Sequence, residues 1–208
     1  MIPSFPVYLF DIDGTLLDSA PDICGAIGQV IVEGGVTAPP FSHLRGFVGL
    51  DLVDCFLESF PGTSPARLEE MVQAYRVAYR AREHKQTKLF PGVAEGLALL
   101  GGRKSTATTK GSPMARTLLE KFGLAGYFEH IQGTDGFPSK PQPDVILAAL
   151  RALGAGIEDC LLVGDSQVDV IAARAAGVKV CAVRYGYGDP ATLAALEPDY
   201  WVDDLREL

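Results

Sequence analysis

The sequence predicts an α/β fold: a doubly wound parallel sheet built from two sequence pieces, with a helical segment inserted after the first strand. Three observations predict it. A short, apolar, β-favouring run, Val7-Tyr8-Leu9-Phe10, stands near the start. Helical periodicity then dominates from about Ser19 to Leu89. From Phe90-Pro91-Gly92-Val93 onward, strand-like and helix-like segments alternate to the end, the pattern of parallel strands joined by crossover helices.

Taken in order, Val7–Phe10 is a buried strand whose carboxyl end carries Asp11-Ile12-Asp13-Gly14-Thr15. In the inserted stretch, Pro21-Asp22 starts a helix with Ile23, Ala26, Ile27, Val30 and Ile31 on one face, and Gly34-Gly35 ends it. Leu52, Val53, Phe56 and Leu57 mark a second helix, closed by Pro61-Gly62. Ser64-Pro65 opens a third, running through Met71, Val72, Tyr75 and Tyr79. The later segments are a helix at 94–100, a strand at 104–108, a helix at 113–122 and a short strand near 128–132. A helix at 143–153 leads to the strongest strand, Cys160-Leu161-Leu162-Val163, then a helix at 168–176, a strand at 178–183 and a last strand at 200–202. The expected division is 1–14 and 90–208 for the sheet domain and 15–89 for the insertion. No internal repeat or low-complexity segment interrupts it.

Composition narrows the function classes. With 208 residues and 48% hydrophobic content, the chain can bury one sizeable core plus a small added domain. The net charge is -8 and no dense Lys/Arg cluster occurs, which argues against nucleic acid or an anionic membrane as the main partner. A small anionic substrate remains compatible, because a few local cations and a metal outweigh the global field. Cys24, Cys55, Cys160 and Cys181 lie far apart with no C-x-x-C pair, so they are expected as buried reduced thiols. The first residues carry neither a basic n-region nor a long apolar run, so no signal peptide or membrane span is expected and a cytoplasmic location is the default.

Asp11 and Asp13 stand two apart at a strand end, before Gly14. In an extended segment such side chains share a face, and two carboxylates on one face repel unless a cation neutralises them. A hard cation such as Mg²⁺ suits those oxygens. An Asp-rich turn with Gly14 at positive φ accounts for the same residues. Gly164-Asp165-Ser166-Gln167-Val168-Asp169 follows the strongest strand and precedes a helix. It fits a second acidic site, or a helix start capped by Asp and Ser. Two such clusters ending parallel strands of one sheet are harder to explain as turn chemistry alone. Thr108-Thr109-Lys110-Gly111-Ser112 lies at the next strand-to-helix junction, where hydroxyls and backbone N–H groups can hold a phosphate. Pro113 there also fits an ordinary helix start. Lys140 sits in Ser139-Lys140-Pro141-Gln142-Pro143-Asp144, where two prolines stiffen the loop and fix where the lysine points.

In this order the four elements resemble the motifs of the haloacid dehalogenase superfamily, over nearly the whole chain. Asp11-Ile12-Asp13-Gly14-Thr15-Leu16-Leu17-Asp18-Ser19 is similar to the first motif, Thr108 takes the Ser/Thr place of the second, Lys140 that of the third, and Gly164–Asp169 the fourth. Lys104-Ser105-Thr106-Ala107 is more polar than the strand usual before the second motif, so Thr109 and Thr106 are alternatives to Thr108. Thr109 stands where relatives often have Asn. The insertion is similar to the small helical cap that follows the first motif in this family, on a Rossmann-like core.

The resemblance implies a Mg²⁺-dependent phosphatase acting on a small phosphorylated metabolite. Asp11 is implied as the nucleophile that forms an aspartyl-phosphate, and Asp13 as the acid and base. Mg²⁺ is implied on Asp11, Asp165 and Asp13, the last through its backbone carbonyl. Thr108 and Lys140 are implied at the phosphoryl oxygens, with Asp169 positioning Lys140 or a metal-bound water. Gly14, Thr109 and Lys110 are implied beside the phosphate. Arg45-Gly46-Phe47-Val48-Gly49, Tyr75-Arg76, Tyr79-Arg80 and Gly186-Tyr187-Gly188 resemble phosphoglycolate phosphatases. Arg45 then meets a substrate carboxylate, or lies as a helix-surface residue over the insertion's core. The alternatives are a pyrophosphatase or nucleotide phosphatase of the same family, a β-phosphoglucomutase-like phosphomutase, and a non-catalytic phosphate-binding protein. A monomer or homodimer is expected.

Overall fold

The computed structural model describes residues 2–208. In chain order its elements are β1 (Val7–Phe10), β2 (Leu17–Asp18), α1 (Ala20–Glu33), α2 (Phe41–Arg45), α3 (Leu52–Ser59), α4 (Pro65–Ala81), β3 (Lys88–Leu89), α5 (Val93–Leu99), β4 (Arg103–Thr106), α6 (Ser112–Lys121), α7 (Asp144–Leu153), β5 (Cys160–Gly164), α8 (Gln167–Ala176), β6 (Lys179–Val183), α9 (Pro190–Ala195) and β7 (Tyr200–Val202). The chain forms two compact units: Met1–Asp18 with Lys88–Leu208, and Ser19–Thr87.

The first unit holds a five-stranded sheet in the order β4-β1-β5-β6-β7, and every neighbouring pair is parallel. All four side chains of β1 and all five residues of β5 are buried. Runs of this kind, apolar on both faces, belong to a sheet covered on both sides. Alternation divides them cleanly. Tyr8, Phe10, Leu161, Val163, Cys181 and Val183 pack with Leu97 of α5 and with Leu118 and Leu119 of α6. Val7, Leu9, Cys160, Leu162 and Val180 pack with Ile146, Ala149 and Leu150 of α7, Ala172 and Ala173 of α8, and Leu193 of α9. The result is a three-layered doubly wound domain. From β1 the chain goes outward to β4, then returns past β1 to β5. Strand order therefore reverses beside β1, where such sheets bind ligands at their carboxyl ends.

The polar strand β4 is satisfied rather than misplaced. Lys104 Nζ donates to the carbonyls of Leu100 at 2.6 Å and of Gly101 and Gly102 at 3.2 Å, meeting the free carbonyls past the end of α5. Thr106 Oγ1 donates to the Gln132 carbonyl at 2.8 Å. The strand expected near 128–132 is reduced to one bridge, Ser105 to His130. A 3₁₀ turn at Ala125–Tyr127 immediately precedes it, and the Gln132 carbonyl accepts from a side chain instead of a ladder N–H. The short helices α2 and α9 escape the sequence reading, since five or six residues carry too little periodicity.

Residues 15–18 and 88–89, expected within the insertion, belong to the sheet unit. Leu16 and Leu17 are buried in its core, and β2 pairs antiparallel with β3, Leu17 opposite Leu89 and Asp18 opposite Lys88. The chain thus leaves and re-enters this unit through a two-stranded ribbon.

The second unit is helical. Ile23, Ala26, Ile27, Val30 and Ile31 form the buried stripe of α1. Ser64 caps α4, its Oγ accepting from Arg67 N at 3.3 Å. Buried Asp22 closes the unit on itself. Its Oδ2 accepts from Gln86 N (3.0 Å), Thr87 N (2.8 Å) and Thr87 Oγ1 (2.8 Å), while Arg82 Nε lies 3.6 Å from Oδ1. All four cysteines are buried and unbridged. Burial pushes the Cys24 thiol up to about 11 and that of Cys160 to about 12, so both stay protonated. No helix of the described residues is long and apolar enough to cross a membrane.

Candidate active site

Sheet register builds the site. Phe10 pairs with Thr106 on one side and Val163 on the other. The residues that follow, Asp11, Ala107-Thr108 and Gly164-Asp165, therefore emerge together at one sheet end. Asp11 N donates to the Val163 carbonyl at 2.9 Å, and Ala107 N to that of Phe10 at 2.8 Å. Beyond Asp11 the chain turns sharply, with the Ile12 carbonyl accepting from Leu16 and Leu17, both at 2.9 Å. Gly14 makes this turn at φ +86°, and a Cβ there would lie 2.1 Å from Asp165 Oδ2. Backbone and carboxylate can come together only because that side chain is missing.

Asp11, Asp13, Asp165 and Asp169 are all buried, at 2%, 4%, 2% and 0% exposure. Asp11, Asp165 and Asp169 offer carboxylate oxygens that lie within 4.8 Å of one another. Lys140, wholly buried in its side chain, lies between two of them: Nζ is 2.6 Å from Asp169 Oδ1 and 3.0 Å from Asp11 Oδ1. Only the Asp169 contact is a hydrogen bond; Asp11 Oδ1 accepts none. Asp169 Oδ2 in turn accepts from Ser166 N (3.0 Å) and Ser166 Oγ (2.5 Å) at the start of α8. Both oxygens of Asp169 are thus committed, and its place is behind Lys140. Asp13 turns to a different cation, Lys110, whose Nζ lies 2.6 Å from Asp13 Oδ2.

The electrostatics follow from burial. Desolvation raises the Asp11 carboxyl to about 6 in spite of the attraction of Lys140, with Asp169 and Asp13 adding repulsion. Asp165 is raised well above the carboxylate range by burial, then by Asp169 and Asp11. Burial pulls Lys140 down, but Asp11 and Asp169 more than offset it and hold the ammonium charged. Four buried carboxylates face two ammonium groups, Lys140 and Lys110. An all-oxygen donor set with two surplus negative charges, and one buried oxygen accepting no hydrogen bond, fits a hard divalent cation such as Mg²⁺.

Thr108 is fully buried immediately past β4. Its Oγ1 accepts from Lys110 N at 3.4 Å and its carbonyl from Thr134 Oγ1 at 3.0 Å. The Thr106 hydroxyl is used by Gln132, and Thr109 is half-buried. Asp11, Asp13, Gly14, Thr108, Thr109, Lys110, Lys140, Asp165 and Asp169 all belong to the sheet unit; Arg45 belongs to the helical unit, exposed at the end of α2.

Sequence reasoning missed the groups that hold Asp165. Thr15 Oγ1 donates to its Oδ1 at 3.1 Å and Tyr187 N to its Oδ2 at 2.7 Å. Tyr185 OH donates to the Thr15 carbonyl at 2.8 Å. Thr15 lay within the first acidic run and Tyr187 between two glycines, but nothing local ties either to Asp165.

Comparison with known proteins agrees with this architecture. Residues 8–183 match the family described as haloacid dehalogenase-like hydrolase. The chain is 39% identical over 207 residues to the plasmid phosphoglycolate phosphatase of Cupriavidus necator, covering 96% of this chain and 90% of that one. It is 32% identical over 209 residues to a 5'-nucleotidase of Pseudomonas aeruginosa, covering 98% and 94%. Among solved structures, a haloacid dehalogenase-like family hydrolase from Streptococcus pneumoniae is similar with a TM-score of 0.91 and 30% identity, over 99% of this chain and 97% of that one.

Proposed function

The chain belongs to the haloacid dehalogenase-like hydrolase family and is a phosphatase of it, and from that premise we propose that it hydrolyses a small phosphate monoester, 2-phosphoglycolate or a close analogue, through an aspartyl-phosphate on Asp11. The observation that carries the chemistry is the grouping of buried Asp11, Asp165 and Asp169 around Lys140. The substrate class is supported by 39% identity to a phosphoglycolate phosphatase across nearly both chains.

In this reading Asp11 attacks phosphorus in line and the ester oxygen departs. Asp13 gives that oxygen a proton, then takes one from the water that cleaves the aspartyl-phosphate. Lys140, kept charged by Asp11 and Asp169, stabilises the phosphoryl oxygens, as does the Thr108 hydroxyl. Asp169 has no free oxygen and acts by orienting Lys140. Asp11 and Asp165 would hold Mg²⁺, together with the backbone carbonyl of Asp13. Bound there, the ion supplies charge neutralisation that lets the carboxylates and a phosphate share the site.

A second reading, a nucleoside monophosphatase, is favoured by the 32% identity to a 5'-nucleotidase. Phosphate release from a panel of 2-phosphoglycolate, nucleoside monophosphates, pyrophosphate and sugar phosphates, with Mg²⁺ or with EDTA, separates them. The expected outcome is the highest kcat/KM on 2-phosphoglycolate and none with EDTA. A preference for nucleotides replaces the substrate assignment; activity undiminished in EDTA removes the metal.

A further inference from the structure

Asp165 is covered by a strap that comes from the neighbouring strand. β5 ends in Gly164-Asp165 and lies between β1 and β6 in the sheet. The segment after β6, Arg184-Tyr185-Gly186-Tyr187-Gly188, crosses over the end of β5 and bonds to the segment that follows β1. Tyr185 OH donates to the Thr15 carbonyl at 2.8 Å, and Tyr187 OH to Asp18 Oδ1 at 2.8 Å. Between these anchors, Tyr187 N donates to Asp165 Oδ2 at 2.7 Å. The crossing is close: a Cβ on Gly186 would lie 2.2 Å from Asp165 Cβ. Phe90 supports both rings, with centroids 4.8 Å from Tyr185 and 6.1 Å from Tyr187.

We propose that Tyr187 is a positioning residue for Asp165, kept in place by its hydroxyl bond to Asp18. A backbone N–H can orient a carboxylate only as well as its own loop is fixed. Tyr187 lies in a loop with a glycine on each side, a backbone with little stiffness of its own. The Tyr187–Asp18 bond fixes that loop to the β2–β3 ribbon. The strap therefore sets the orientation of one carboxylate of the candidate metal site, in the way outer hydrogen bonds commonly orient metal ligands. This inference rests on the reading that Asp165 holds Mg²⁺.

The test is Mg²⁺ binding by isothermal titration calorimetry, with urea unfolding in EDTA measured on the same proteins. Tyr187→Phe keeps the ring and the N–H and removes only the hydroxyl. It is expected to weaken Mg²⁺ binding about 10-fold, the lower end for loss of an outer-shell partner. Asp18→Ala, which leaves the hydroxyl only its long contact with the Leu17 carbonyl at 3.5 Å, is expected to weaken binding in the same direction. Asp18→Asn, whose amide oxygen accepts the same bond, is expected to bind Mg²⁺ like the parent. Tyr187→Phe/Asp18→Ala is expected to be no worse than Tyr187→Phe alone, because both remove one interaction. Unchanged Mg²⁺ affinity in Tyr187→Phe and Asp18→Ala overturns the inference, even if their urea stability falls, since a merely structural bond predicts that pattern. Full additivity in the double variant overturns it as well. Failure of the parent protein to bind Mg²⁺ overturns instead the metal reading on which the inference rests.

Discussion

Lys110 Nζ lies 2.6 Å from Asp13 Oδ2, so the second carboxylate of the first acidic run is paired with a cation from the loop after β4, whereas Asp11 faces Lys140. The two carboxylates, two residues apart, thus have separate partners. That separation suits separate tasks, one as nucleophile and one as proton carrier.

Asp13→Asn removes the carboxyl group proposed to carry the proton while keeping the shape. Turnover of an alkyl phosphate is expected to fall by about 10²–10⁴. The loss is expected to be smaller with p-nitrophenyl phosphate, whose leaving group needs no proton. Comparing kcat/KM on the two esters, which reports the ester-cleaving step apart from the shared hydrolysis of the aspartyl-phosphate, checks this, and equal losses in kcat/KM on the two would remove Asp13 from leaving-group protonation.

Asp11→Asn is expected to abolish turnover and the covalent intermediate together. Acid quench followed by intact-mass analysis should show the phosphoryl adduct in the parent enzyme and none in the variant. A retained adduct would move the nucleophile elsewhere.

Lys140→Met deletes the ammonium that faces Asp11 and Asp169 and leaves buried carboxylates without their counter-charge. Breaking a buried pair of this kind costs about 3–5 kcal/mol. The loss should be larger at pH 8 than at pH 5, because the carboxylates can take up protons at the lower pH. Urea midpoints at the two pH values, in EDTA, measure it.

The metal-free site should itself destabilise the fold as pH rises. The Asp11 carboxyl titrates near 6 in the folded chain against an ordinary 3.8, so the folded state binds this proton more tightly than the unfolded one. Its contribution is present below about pH 4 and is lost as pH rises through about 6, a loss of about 3 kcal/mol. Asp165 acts in the same direction. A divalent cation offsets the repulsion only where the carboxylates are ionised. The gain in Tm on adding Mg²⁺ is therefore expected to be small at pH 5 and large at pH 7.5, by scanning calorimetry; an equal gain at both would contradict the assignment of the ion to these carboxylates.

How much of this was legible follows from where each signal resides. Asp11 and Asp165 stand directly after apolar strands, with Asp13 and Asp169 shortly beyond them, and a buried run followed by acids can be read from the chain itself. Lys140 was legible through its proline-framed loop, although its partners come from two other segments. The polar strand at 103–106 was hard to place because its hydroxyls and lysine are satisfied by carbonyls of neighbouring segments, which leaves no trace in local pattern. The strap was out of reach for the same reason. Tyr185 and Thr15 are 170 positions apart, and only the sheet order brings them together. The β2–β3 ribbon has two residues per strand, fewer than an alternation needs to become visible.

The carboxylate of Asp22 holds the returning chain at Gln86 and Thr87 against the first turn of α1, and the ribbon pairs the strands just outside. Departure and return are therefore joined twice. To the sheet, everything from Ser19 to Thr87 counts as a short closed loop, and the entropy of bringing β1 and β4 together grows only logarithmically with what the loop contains. The insertion can be lengthened, shortened or exchanged in the course of evolution at little cost to the sheet, and the carboxylates at the sheet end stay where they are.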